Sequence, residues 1–168
     1  MAKDSGAKSV ESARGGANVR LPPPLVFLGL TAIGALVQLP LRLELPLPRG
    51  PEIVAGCALA LAGVALVLAA HTWFKRTGQH PAPWTPSPEL IARGIYRYSR
   101  NPMYVGMTLL QLGIGVGLGN AWITALAPIA LVVVHLTAVR AEEAYLAAKF
   151  GESYLRYQAE VPRYFWQW

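Results

Sequence analysis

Three stretches of this chain contain no charged side chain: Leu21 to Leu41, Ile53 to Phe74, and Asn101 to Val139, of 21, 22 and 39 residues. No other feature restricts the fold as much. A helix needs about 20 apolar residues to cross the hydrocarbon core of a bilayer. The first two stretches each suit one crossing, and the third suits two if something breaks it. Gly119-Asn120, near its middle, is a turn signal. The expectation is an all-α, polytopic membrane helical bundle with about four transmembrane helices and a further helix at the C-terminal end. A soluble bundle would need buried helices that are apolar all round and more than about 20 residues long, lengths that suit bilayers rather than small globules. Charged residues make up 14% of the chain, against about 25% in ordinary soluble domains, which favours the bilayer again.

The net charge of +6 raises the question of nucleic acid, but its distribution points to lipid. If four spans are threaded from an N-terminus in the cytoplasm, thirteen of the fifteen basic residues fall on the cytoplasmic side. Only Arg42 and Arg49 fall outside, next to Glu44 and Glu52. That is the positive-inside asymmetry, and it places both termini in the cytoplasm. The partners expected are therefore membrane lipids and no nucleic acid. The first apolar stretch does not read as a cleaved signal, since it follows twenty polar, Gly/Ala/Ser-rich residues and opens on Leu-Pro-Pro-Pro. Residues 1–20 are expected to form a flexible tail and 21–168 a single domain. Cys57 is the sole cysteine, sits in the second apolar stretch beside Gly56 and Ala58, and suits close packing. Gly56 and Gly63 share a helix face, and Gly113/Gly117 and Gly115/Gly119 form further close-packing pairs.

The charge-bearing motifs lie at the ends of the third apolar stretch. Before it stands a loop with prolines at 81, 83, 86 and 88, then Gly94-Ile95-Tyr96-Arg97-Tyr98-Ser99-Arg100-Asn101-Pro102-Met103-Tyr104-Val105-Gly106. After it come Glu142-Glu143, Phe150-Gly151-Glu152-Ser153-Tyr154, Tyr157 and Val161-Pro162-Arg163. A helical hairpin between the two would return them to the same face. Each motif alone also reads blandly. Tyrosines and arginines form interfacial belts, Asn-Pro starts helices, and glutamates pair with nearby bases. Tyr104, Thr108 and Gln111 share one helix face, suited equally to a substrate passage or to interhelical hydrogen bonds. His135 and Glu142, seven apart, would share a face of one continuous helix, and His135 suits either a functional or a packing role. "GIGVGLGN" follows no strand and lies in a span, so it is no dinucleotide loop. One cysteine and three scattered histidines do not suggest a metal site.

In its order of motifs the chain resembles the isoprenylcysteine carboxyl methyltransferases and their phospholipid methyltransferase relatives, over roughly residues 74–163. That resemblance implies an integral membrane enzyme using S-adenosylmethionine and a lipid-associated or small hydrophobic methyl acceptor. Carried across residue by residue, it implies cofactor contacts at Pro88, Glu89, Leu90 and Ile91, at Tyr96, at Asn101, Pro102, Met103 and Tyr104, and at Glu142. Asn101 stands where the family has histidine and cannot titrate. The family's substrate-side arginine falls on Ala138, leaving Arg140 as the nearest candidate, with Arg163 a second. Gln79 and His80 are substitutes for an upstream glutamine. Glu142 would meet the ribose or the ammonium of the cofactor, and aromatic faces such as those of Tyr96 and Tyr104 suit a cation or a stacked adenine. Methyl transfer by in-line displacement needs no metal, and catalysis then comes from alignment and dryness. Two rivals stand beside this reading: a membrane reductase with a nicotinamide cofactor, and a non-catalytic membrane scaffold.

Overall fold

A computed structural model describes residues 16–19 and 21–165, and every regular element among them is helical. α1 is Pro23–Val37, α2 is Arg49–Arg76, and a 3₁₀ turn covers Gly94–Arg97. α3 is Pro102–Gly117 and α4 is Ala121–Val134. α4 runs through a π turn, His135–Val139, into α5, Arg140–Phe150. α6 is Glu152–Glu160. Proline opens both α1 and α3, where its fixed φ suits the first turn and its missing N–H loses no bond. α2 carries Glu52 in its first turn and Lys75 and Arg76 in its last, each sign matching the helix dipole. Gly119, with φ +66°, makes the turn between α3 and α4. Asn120 then caps α4, its side-chain oxygen accepting the Ile123 N–H at 2.9 Å.

The chain divides into two compact units. One comprises residues 22–69 and 103–134. Inside it, α2 and α3 meet backbone to backbone. A Cβ on Gly56 would strike Gly113 and Gly117, one on Gly63 would strike Gly106 and Leu110, and one on Gly113 would strike Ala60. Lipid tails are as apolar as the helix surfaces, so close van der Waals approach rather than water exclusion holds such a seam. Gly115 allows close packing against Thr124 of α4, and Gly119 lies close to Glu52 and makes the turn. Gly34 seats α1 on Ile123 of α4, and Trp122 reaches across to donate to the Leu41 carbonyl at 2.7 Å. Tyr104, Thr108 and Gln111 are all buried on one face of α3, as their spacing predicts. The Thr108 hydroxyl donates to the Tyr104 carbonyl at 2.9 Å, while neither polar atom of the Gln111 amide has a hydrogen-bond partner among the described residues.

Two helices are long and apolar enough to cross a bilayer, Arg49–Arg76 and the continuous stretch Ala121–Phe150. Among the described residues these two alone reach that length, and α1 and α3 are shorter apolar helices of 15 and 16 residues. At 1.5 Å per residue they reach about 22 and 24 Å, short of a core about 30 Å thick. Pro40 after the one and Gly119 after the other account for the shortness. Only 17% of the most apolar window of α2 is buried, and Val54, Leu61, Val64 and Leu68 face outward. An exposed apolar surface of that kind suits lipid.

The other unit comprises residues 70–102 and 135–165 with the described part of 16–21. Much of the expected flexible tail lies outside the described residues, but 16–19 are not loose. Gly16 and Ala17 donate backbone bonds to the Trp84 and Pro83 carbonyls, and Ala17 and Val19 are buried. His135 and Glu142 do not share a face, because the π turn between them adds a residue to that turn of the helix.

The glycine seam predicts that Gly113→Val lowers the stability of the detergent-solubilised protein by about 1–3 kcal/mol. Gly29→Val, with open space around the new side chain, should leave the melting temperature nearly unchanged. Equal losses at both positions in a thermal melt would rule out the seam as the cause.

Candidate functional site

The second unit gathers most of the polar residues singled out by the sequence. Its loop is extended by proline and held by a few bonds. Gln79 is buried at the end of α2 and its side-chain amide donates to the Glu89 carbonyl at 3.1 Å, fixing the segment Pro88–Ile91. Pro88 and Glu89 are exposed, and Leu90 and Ile91 half-buried. Ser87 donates its N–H to the Tyr145 hydroxyl at 3.1 Å, which ties the same loop to α5. His80, the other substitute for the family's glutamine, accepts the Ala82 N–H through Nδ1 at 3.1 Å and so shapes the loop locally. Gly94 is required twice. Its φ is +59°, and a Cβ there would collide with the Trp73 indole.

Gly94 turns the chain so that Tyr96 points inward. The Tyr96 ring meets Phe74 edge-on at 6.0 Å, and its carbonyl accepts the Tyr157 hydroxyl at 2.7 Å. Tyr154, Tyr157 and Val161 form a small core on which Leu90 and Phe150 pack, so α6 braces the loop from below. Burial pushes the Tyr96 phenol far above its ordinary range, with Tyr157 and the Glu142 carboxylate adding to the effect. The Glu142 carboxylate, 46 positions away by numbering, thus lies near enough to Tyr96 to disfavour its ionisation. Glu142 is half-buried in the first turn of α5, where a carboxylate also suits the helix dipole.

Beside Glu142, Glu143 is held by two guanidiniums. Arg163 bonds it at both oxygens, Nε to Oε1 at 2.9 Å and Nη2 to Oε2 at 2.8 Å, and Arg100 Nη1 reaches Oε1 at 2.8 Å. The side chains of Arg100 and Glu143 are 8% and 13% exposed, and that of Arg163 is 36%. Charge-assisted, forked bonds of this kind are the strong ones. The hydrogen bond to Glu143 raises the already high pKa of the Arg163 guanidinium. The backbone follows the side chains. The Arg100 N–H donates to the Pro162 carbonyl at 3.0 Å, and the Arg163 carbonyl accepts from Ser99 Oγ at 3.3 Å and from Asn101 Nδ2 at 3.0 Å. Tyr164 meets His135 Nδ1 at 2.9 Å. His135 is therefore a hydrogen-bonded partner of the C-terminal segment.

The apposition of loop and acidic helix expected from the hairpin is present, within one unit. Pro88 to Tyr96, Asn101, buried Pro102 and Glu142 all belong to it, whereas Met103 and buried Tyr104 belong to the other unit. Arg140 is exposed at the start of α5, and Arg163 is occupied by Glu143. Sequence reasoning did not single out Arg100, and it placed Glu143 only within a motif. Their pairing, 43 positions apart, is visible beforehand only as opposite charges at the two ends of a hairpin.

Glu143→Ala leaves two guanidiniums without their anion, one of them deeply buried. It should cost about 3 kcal/mol or more in denaturant or thermal unfolding, and Arg163→Gln, at a partly exposed group, under about 1 kcal/mol. Equal losses would show that the network is not centred on the carboxylate. Burial, aided by the Glu143 charge, pushes the Tyr154 phenol up to about 12, and burial likewise brings Tyr164 to about 12. A folded value raised above the unfolded one means stability that is complete below about pH 10 and lost as pH rises towards 12. A pH series of melting temperatures should fall across that window, and less steeply in Tyr154→Phe.

The sequence model of the phospholipid methyltransferase family matches residues 51–153. A protein-S-isoprenylcysteine O-methyltransferase of fission yeast, Schizosaccharomyces pombe, is 41% identical over 73 residues. That alignment spans 44% of this chain and 31% of the yeast protein, so the chain corresponds to less than a third of that relative's length. The family match takes in α2, the proline-rich loop, the α3–α4 hairpin, and α5 with its two glutamates. This chain belongs to the phospholipid methyltransferase family.

Proposed function

We propose that the chain is an integral membrane methyltransferase that takes its methyl group from S-adenosylmethionine and delivers it to a lipid-associated or small hydrophobic acceptor at the cytoplasmic edge of the bilayer. The observation that carries this reading is the convergence of the Tyr96 phenol and the Glu142 carboxylate beside an irregular loop whose backbone, over Pro88–Ile91, is not consumed by helix bonds. The donor set suits the nucleotide. It supplies one anion for an ammonium or ribose, aromatic surface for an adenine or a sulfonium, and a loop backbone for edge contacts. When bound, S-adenosylmethionine supplies a methyl group on a positively charged sulfur.

The protein's own contribution is placement. Glu142 accepts hydrogen bonds from the bound cofactor, and the neutral Tyr96, buried against Phe74, keeps that side of the site dry. Asn101 and Pro102, at the start of α3, add further contacts. Arg163, paired with Glu143, positions the C-terminal segment. Arg140, exposed, is the cation that receives an acidic acceptor. The yeast relative is named for an isoprenylcysteine oxygen and the family for phospholipids. A carboxylate, an amine or a thiol on a lipid-like carrier is therefore the acceptor class. Residues 21–168 act as one membrane domain with its catalytic half at about 74–163. The short α1 and α3 join the two longer helices in a four-span arrangement, with both ends in the cytoplasm.

Addition of S-adenosylhomocysteine should raise the melting temperature of the purified protein. Glu142→Ala should weaken that ligand more than tenfold, since a bond to a charged group is worth about 1.5–3 kcal/mol, while leaving the unliganded melt in place. A shift that survives Glu142→Ala would remove Glu142 from the site. A shift produced by NADPH instead would favour a reductase, and no shift with either would favour a scaffold. Membranes incubated with methyl-labelled cofactor should yield one labelled lipid-soluble product, which identifies the acceptor.

A further inference from the structure

Between α6 and the chain that follows the proline-rich loop lies an open groove of about 580 Å³. One wall is the chain from Leu90 to Arg97, and the other is the face of α6 that carries Ser153, Arg156 and Glu160, closed off by Val161. Its lining is mixed, with Arg97, Arg156 and Glu160 charged and Leu90, Ala92 and Val161 apolar. Arg97 and Arg156 are exposed, and neither forms an ion pair with another described residue. Leu90 and Val161 supply an apolar floor. Glu160 is the single anion facing the two guanidiniums.

We infer that this groove binds the headgroup of an anionic phospholipid, with its phosphate between Arg97 and Arg156 and the adjoining glycerol against Leu90 and Val161. Charge complementarity is the first reason, because a guanidinium fork matches phosphate oxygens in pairs and two such forks open into one groove. Ser153 adds a hydroxyl donor on the same helix face as Arg156. The second reason is what flanks the arginines. Arg97 is followed by Tyr98, which is 62% exposed, and Arg156 is preceded by Leu155, which is 55% exposed. An arginine for the phosphate beside an outward apolar or aromatic side chain for the interfacial layer is the pattern of a segment lying at a membrane surface. A soluble anion would find the same two charges but would have no use for those neighbours. The inference uses none of the residues assigned to methyl transfer except Leu90, and it stands whether or not that reading holds.

The test uses the full chain in a neutral detergent, with binding read by thermal shift and by titration. The probes are dioctanoyl phosphatidylglycerol, dioctanoyl phosphatidylcholine and inorganic phosphate. The anionic lipid should stabilise the protein, and the zwitterionic lipid and free phosphate should not at the same concentrations. Arg97→Gln with Arg156→Gln should weaken the anionic lipid roughly tenfold or more, at about 1 kcal/mol for each basic group, and leave the S-adenosylhomocysteine shift in place. Glu160→Gln should tighten the lipid several-fold, and this single variant decides the matter if the double variant fails to fold. Unchanged lipid affinity in the arginine double variant, or in Glu160→Gln, would overturn the proposal. Equal binding of the zwitterionic lipid would overturn it as well, and equal stabilisation by inorganic phosphate would assign the groove to a free anion.

Discussion

A carboxylate with little access to water, gripped by two guanidiniums from distant parts of the chain, determines how the polar unit of this protein is put together. Glu143 alone would be expensive to bury, and so would Arg100. Held together, with Arg163 as the outer member, they fix three segments at once: the residues before α3, the start of α5, and the chain beyond α6. The adjoining Glu142 is carried into place by this arrangement. It stands near Tyr96 while its neighbour faces the two guanidiniums, and that difference within a Glu-Glu pair follows from geometry rather than from residue type.

The apolar unit is built on a different economy of forces. Its helices show most of their large side chains to the outside and keep glycine and alanine for one another. In a bilayer no water is displaced when helices meet, so contact area at short range has to supply the attraction. The backbone-to-backbone meetings at Gly56, Gly63, Gly106 and Gly113 provide it.

Much of this was legible beforehand, for identifiable reasons. The three uncharged blocks announced membrane helices, Pro102 marked the start of α3, and Gly119-Asn120 marked the hairpin, because each of these signals acts over a few residues. The lengths of α1 and α3 were overestimated from the same blocks, since an uncharged stretch includes the turns at its ends. Gly115 and Gly119 allow close packing as their spacing suggests, but against Thr124 and Glu52 respectively, which spacing does not specify. His135 and Glu142 were expected on one face by counting in sevens, and a π turn spoils that count without leaving a mark in composition. Least visible were the contacts made by Gln79, Ser99 and Asn101. Each is a polar side chain aimed at a main-chain carbonyl, and a carbonyl belongs to every residue, so nothing in the sequence says which one is chosen.

Asn101 occupies the place where the family is expected to carry histidine, and its amide grips the Arg163 carbonyl. Beside it Ser99 and the Arg100 main chain do the same work on neighbouring atoms. None of these three donors gains or loses a proton near neutrality. An imidazole there would change its charge with modest acidification. In this chain the fastening of the C-terminal segment at these three points is indifferent to such a change.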